Sequence, residues 1–150
     1  MILRSRDGNE LILSIARYQF RSVTDPTDWD CWHTVEGSAK DSERSWSFRD
    51  SALMCSESPQ ISSWLTRVAK AEWHNPVLDF MEPNLAFRVV ESGKEFVTFE
   101  VALALEFHPL PARERSEPLD SPYLVCLIVD RPALLSAAME WDLDLKRILS

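Results

Sequence analysis

The sequence has little glycine, few cysteines and no long apolar run, and each scarcity excludes something. Three glycines in 150 residues leave almost nothing from which to build a phosphate-cradling loop. No P-loop, G-x-G-x-x-G, G-x-S-x-G or H-E-x-x-H pattern occurs. The longest apolar run, residues 124–129, is far short of a membrane span. The first residues are two apolar side chains followed by charges, without a signal-peptide pattern. Cys31, Cys55 and Cys126 are an odd, scattered set, so a reducing cytoplasm is expected. Cys126 lies inside the apolar run, where a buried free thiol is expected.

Charge of one sign dominates. The net charge is −8, and the acidic excess lies mostly in residues 25–60 and 91–120. No basic stripe suggests nucleic acid. An acidic surface instead suits solubility, or steering of a basic protein partner.

Apolar content of 45% and charged content of 27% are ordinary for a globular chain, and 150 residues suit a single domain over 1–150. Alternation predicts a hairpin of residues 1–4 and 10–18 around Asp7-Gly8-Asn9. A second hairpin joins 31–38 to 44–48, and 52–55 form a fifth short strand. Strands at 77–81 and 85–90 flank Glu82-Pro83-Asn84. The clearest strand spans 95–107, with Val97, Phe99, Val101, Leu103, Leu105 and Phe107 on one face. Its length predicts a bend or bulge within it. Residues 123–129 are apolar on both faces and are placed centrally in the sheet.

Two amphipathic helices are expected. The first spans about 58–73, with Ser58 as N-cap and Pro59 at the first helical position. It should fade at Trp73-His-Asn-Pro76. The second spans about 131–148, capped by Asp130, with Leu134, Ala138, Trp141, Leu145 and Ile148 along one face. About nine strands in runs, with two helices, make an α+β fold with mostly antiparallel sheet.

Candidate chemistry is thin. Cys31-Trp32-His33 is the only close Cys/His pair, and a zinc site needs a second pair that nothing nearby supplies. A catalytic cysteine would have to lie beside His33, His74 or His108. Glu100 and Glu106 on one strand would stand roughly 20 Å apart, too far for an acid–base dyad. No catalytic residue, metal ligand or cofactor is therefore assigned. Asp25, Asp28 and Asp30 flank Trp29 in a polar loop. An exposed tryptophan among aspartates makes a partner-binding site; the alternative is that Trp29 folds back onto the core. A calcium loop is disfavoured, because the D-x-D-x-D-G pattern is missing.

Several segments together resemble the WapI-like immunity proteins associated with wall-associated-protein toxins. They are Ala16-Arg-Tyr-Gln-Phe20, Asp28-Trp-Asp-Cys-Trp-His-Thr-Val35, Ser45-Trp-Ser-Phe-Arg-Asp50 with Leu53, Ile61-Ser-Ser-Trp-Leu65 and Phe80-Met-Glu-Pro-Asn-Leu-Ala-Phe87. The resemblance implies a cytoplasmic bacterial protein that binds a toxin domain, often a nuclease, and blocks it without catalysis. It carries no catalytic set. The contrasting expectation is a small-ligand-binding or enzymatic domain with a cavity between sheet and helices, in which His108, Glu106 and a cysteine converge.

Overall fold

A computed structural model describes residues 1–72 and 75–149. Two four-stranded antiparallel sheets and two helices make up an α+β fold. The first sheet is a meander of β1 (Ile2–Arg4), β2 (Glu10–Tyr18), β3 (Trp32–Lys40) and β4 (Ser45–Met54). After helix α1 (Ser58–Ala69) comes a second meander: β5 (Val77–Leu78), β6 (Leu85–Ser92), β7 (Phe96–Leu103) and β8 (Tyr123–Asp130). Helix α2 (Arg131–Leu149) closes the chain.

Alternation explains which faces are buried. Leu11, Leu13 and Ile15 of β2, and Val97, Phe99 and Val101 of β7, are almost wholly buried, while their neighbours in sequence are not. Ile61, Trp64, Leu65 and Val68 of α1 and Leu134, Ala138 and Trp141 of α2 join the same hydrophobic cluster. The helices pack on each other, and α2 also rests on β1, β2 and β8. Two seams tie the sheets together. Arg6 N–H donates to the Ile128 carbonyl (2.9 Å) and Ile128 N–H to Ser5 Oγ (2.8 Å). On the other side Phe48 of β4 stacks on Phe107 (4.2 Å between ring centres), and Trp46 Nε1–H donates to the Phe107 carbonyl (2.9 Å).

Gly37 is required by a close approach. A Cβ there would strike the Ile12 carbonyl oxygen of the neighbouring strand and press on the Phe48 ring at 3.1 Å.

The structure corrects several expectations. Residues 52–55 do not form a separate strand, because a one-residue bulge lets β4 run on to Met54; among the described residues eight strands, close to the nine expected, form two sheets. The strand from 96 stops at Leu103. Leu105 takes a left-handed backbone (φ 49°) and opens a 3₁₀ turn, Leu105–Phe107, which swings Phe107 back into the core. The expected bend is this break. Strand β8 lies at a sheet edge, not in the centre. Its outer face leaves Leu124 and Cys126 exposed, so Cys126 is free but not buried. Helix α1 ends at Ala69, earlier than 73, and the chain turns off through Ala71 at φ 56°. Its N-cap is Glu57; Ser58 is the first helical residue and is buried. Glu57 does not cap by its side chain. It ties down two neighbouring backbones instead, accepting the N–H groups of Met54 (2.8 Å) and Met81 (2.7 Å). Asp130 does cap α2, its carboxylate accepting the Ala133 N–H at 2.8 Å.

Candidate partner-binding surface

The loop between β2 and β3, residues 19–31, is built from consecutive turns begun by aspartates. Asp25 Oδ1 accepts the Thr27 N–H (2.9 Å) and hydroxyl (2.8 Å), while Asp28 N–H donates to the Asp25 carbonyl (3.0 Å). Asp28 repeats the pattern: its Oδ1 accepts the Asp30 N–H (2.9 Å) and its carbonyl accepts the Cys31 N–H (3.1 Å). These side chains satisfy backbone donors that a loop otherwise leaves open, which shapes the loop without a packed core. The Thr27 backbone N–H, then its hydroxyl, hold the Asp25 carboxyl below the usual carboxylate range.

Trp29 occupies the turn between Asp28 and Asp30 and is 73% exposed. It does not fold back onto the core. Its carbonyl accepts the Trp32 Nε1–H (2.9 Å), so the backbone beneath the ring is held. Asp25, Asp28 and Asp30 are all exposed around it, and Phe20 is exposed at the start of the loop. At the start of the loop a cleft of about 370 Å³ is lined by Arg17, Tyr18, Arg21, Thr24 and Ile148.

The loop is anchored at its foot. Cys31 and Cys55 are joined by a disulfide, and both are buried. This corrects the reading of three scattered thiols. Trp32 pairs with Met54, so Cys31 and Cys55 lie opposite each other just beyond the ladder. The shift between His33 and Thr34 places them so; without it Cys31 would have faced Met54. The disulfide also removes Cys31 from any zinc site shared with His33. Among the described residues, no group of three acidic, histidine or cysteine side chains could hold a metal ion.

Below the disulfide, His33 is buried, packed 5.0 Å from the Tyr18 ring and 2.6 Å from the Ser58 hydroxyl through Nδ1. Its Nε2 is shielded and unpartnered among the described residues. Burial pushes its pKa from 6.5 down to about 4, so the ring is neutral in the fold. An unfolded histidine takes up a proton below about pH 6.5, while the folded one resists until about 4. Stability must therefore fall as pH falls through that window. The expected loss between pH 7 and pH 5 is about 2 kcal/mol from this residue. Urea unfolding of the wild type and of His33→Asn at the two pH values checks it, and the variant should lose less. An imidazole that titrates near 6.5 in the folded protein would refute the assignment.

Other predicted chemistry falls apart or regroups. Cys126 lies on the outer face of β8; partial desolvation by its neighbours first, then the charges of Asp7 and Glu100, push its thiol pKa up, the wrong direction for a nucleophile. His74 lies outside the described residues. Glu100 pairs with Arg88 (2.9 Å). Glu106 meets Asp50 from the other sheet. Both accept from the side-chain amide of buried Asn84, at 3.1 and 3.2 Å. Burial, then the Glu106 charge, raises the Asp50 carboxyl above its ordinary range. Sequence reading missed this pair because its members are 56 positions apart and meet only at the seam between sheets. Glu106 and His108 do border one cavity, but no cysteine joins them.

Fold and surface thus define an α+β protein whose outstanding exposed feature is a braced aromatic–acidic loop. The chain matches the model of the Immunity protein WapI-like family over residues 1–149, and it belongs to that family. No curated protein and no solved structure matches it. Membership points to a role in neutralising a toxin, with a protein as partner; immunity proteins are generally non-catalytic.

Proposed function

We propose that this chain is a non-catalytic immunity protein of the bacterial cytoplasm. It binds a toxin domain, a basic nuclease by preference, through the 19–31 loop and blocks it by occupancy. The observation that carries the reading is the exposure of Trp29 on a backbone held by the turns at Asp25 and Asp28. A large rigid aromatic loses little conformational freedom when it is buried in a partner. Asp25, Asp28 and Asp30 add an acidic field that speeds encounter with a basic surface.

The test uses the toxin domain encoded beside this chain, coexpressed and then studied by binding kinetics. The wild type should bind and protect the host cell. Changing Asp25, Asp28 and Asp30 together to asparagine should slow association by about tenfold at low salt, with much less effect at high salt. Asparagine keeps the turn hydrogen bonds, so the loss reports charge. An unchanged association rate would remove this loop from the interface. Absence of binding to any neighbouring toxin would sink the immunity reading itself.

A further inference from the structure

A second site lies at the opposite end of β3 from the Trp29 loop. There the Tyr123 ring packs edge-on against Trp46 (5.2 Å) and His108 (5.8 Å), and its hydroxyl donates to Asp41 (2.5 Å). Next to this cluster a cavity of about 340 Å³ opens between the 3₁₀ turn at Leu105 and the proline-rich segment that follows.

Its walls combine apolar side chains with two hydrogen-bond donors. Leu105, Leu110 and Leu119 supply the apolar surface. His108 Nδ1 accepts the Leu110 N–H at 3.0 Å, so a neutral ring must carry its proton on Nε2. Burial, then the charge of Arg115, favours that neutral form, with Arg44 acting in the same direction and Glu117 against it. Arg115 spends one donor locally, from Nη1 to the Leu119 carbonyl (3.0 Å). Its Nε–H is shielded from solvent and has no partner among the described residues. A guanidinium has five N–H donors in a fork that fits a carboxylate, and most of these are not spent here. Glu106 also borders the cavity, but its carboxylate is engaged by Asn84 and faces Asp50. Leu105 sits in the left-handed region that branched residues avoid, and such backbone strain gathers at functional sites.

We propose that this cavity binds a small carboxylate bearing a short apolar chain. Arg115, through the terminal N–H groups of its guanidinium that the bond to Leu119 leaves unspent, and His108 donate to its oxygens, and the three leucines hold the chain. The chemistry is shared by a free organic acid and by the C-terminal end of a peptide. It is separate from the toxin-binding reading, since it uses none of the loop residues.

The experiment is an NMR titration of the whole chain, following the Arg115 Nε–H and His108 ring signals. The probes are 4-methylpentanoate, N-acetyl-Gly-Leu, N-acetyl-leucinamide and sulfate. Saturable shifts with one of the two carboxylates at millimolar levels are expected, and the tighter of the two identifies the source. The amide should not bind, and sulfate should bind at least about tenfold more weakly. Arg115→Gln should weaken binding by about tenfold or more. Because Arg115 also braces its loop, His108→Asn serves as a second variant and should weaken binding too. No saturable shift in the wild type up to roughly 10 mM, or equal binding of acid and amide, overturns the proposal.

Discussion

Trp141→Ala is expected to lower the free energy of unfolding by about 3–5 kcal/mol. Trp141 is completely buried, at the point where α2 meets α1. Its Nε1–H donates to the Ser58 carbonyl at 2.8 Å, and the Ser58 hydroxyl in turn meets His33. Truncation would open a large cavity, because neighbouring backbone in two helices and a sheet cannot collapse into it. It would also remove the indole hydrogen bond to the carbonyl of the first residue of α1. Trp141→Phe keeps most of the volume and loses the N–H donor, so it should cost only about 1–2 kcal/mol. Urea unfolding followed by circular dichroism at neutral pH measures both. A loss below about 1 kcal/mol for the alanine variant would mean that the helices do not depend on this contact.

Trp29→Ala should have a comparably large effect on a different quantity. The ring contributes little to folding where it stands, so stability should stay within about 0.5 kcal/mol. Binding of the cognate toxin should weaken by about 2 kcal/mol or more, roughly 30-fold, mainly through faster dissociation. The three aspartates should act chiefly on association, so the two sets of variants separate anchor from steering. A variant that binds as tightly as the wild type would move the interface to another face. The disulfide at the foot of the loop bears on the same experiments. In a reducing cytoplasm Cys31 and Cys55 would stand as thiols, and the Cys55 N–H to Cys31 carbonyl bond (2.9 Å) would hold the foot in its place. Toxin affinity measured with and without a thiol reductant therefore belongs beside the Trp29 series.

Much of the fold was legible from local pattern. The period of two along β2 and β7 and the helical spacing of Leu134, Ala138 and Trp141 identify core faces, because burial of one face imposes that period. The Asp130 cap and the polar, turn-forming composition of the Trp29 loop are equally local. Three features misled. Residues 123–129 are apolar on both faces, yet β8 is an edge strand: Ser5, Arg6 and Asn9 hydrogen-bond along its free edge, while Leu124 stays exposed. Leu105 continues the alternation of β7, but the chain turns there to seat Phe107 on Phe48, a partner in the other sheet. The proximity of Cys31 and Cys55 depends on a bulge in β4 that no residue type announces.

By itself, the sequence determined the class of fold, the two helices, the alternating strands and the loop that carries Trp29. These follow from interactions within a few residues: side-chain period, capping and turn chemistry. Only the tertiary structure decided that the strands form two sheets, that Trp29 is exposed, that Cys31 meets Cys55, and that Asp50 lies against Glu106. Each of these depends on register and on packing between segments far apart in the chain. A one-residue shift changes such a contact completely while leaving the local pattern almost unaltered.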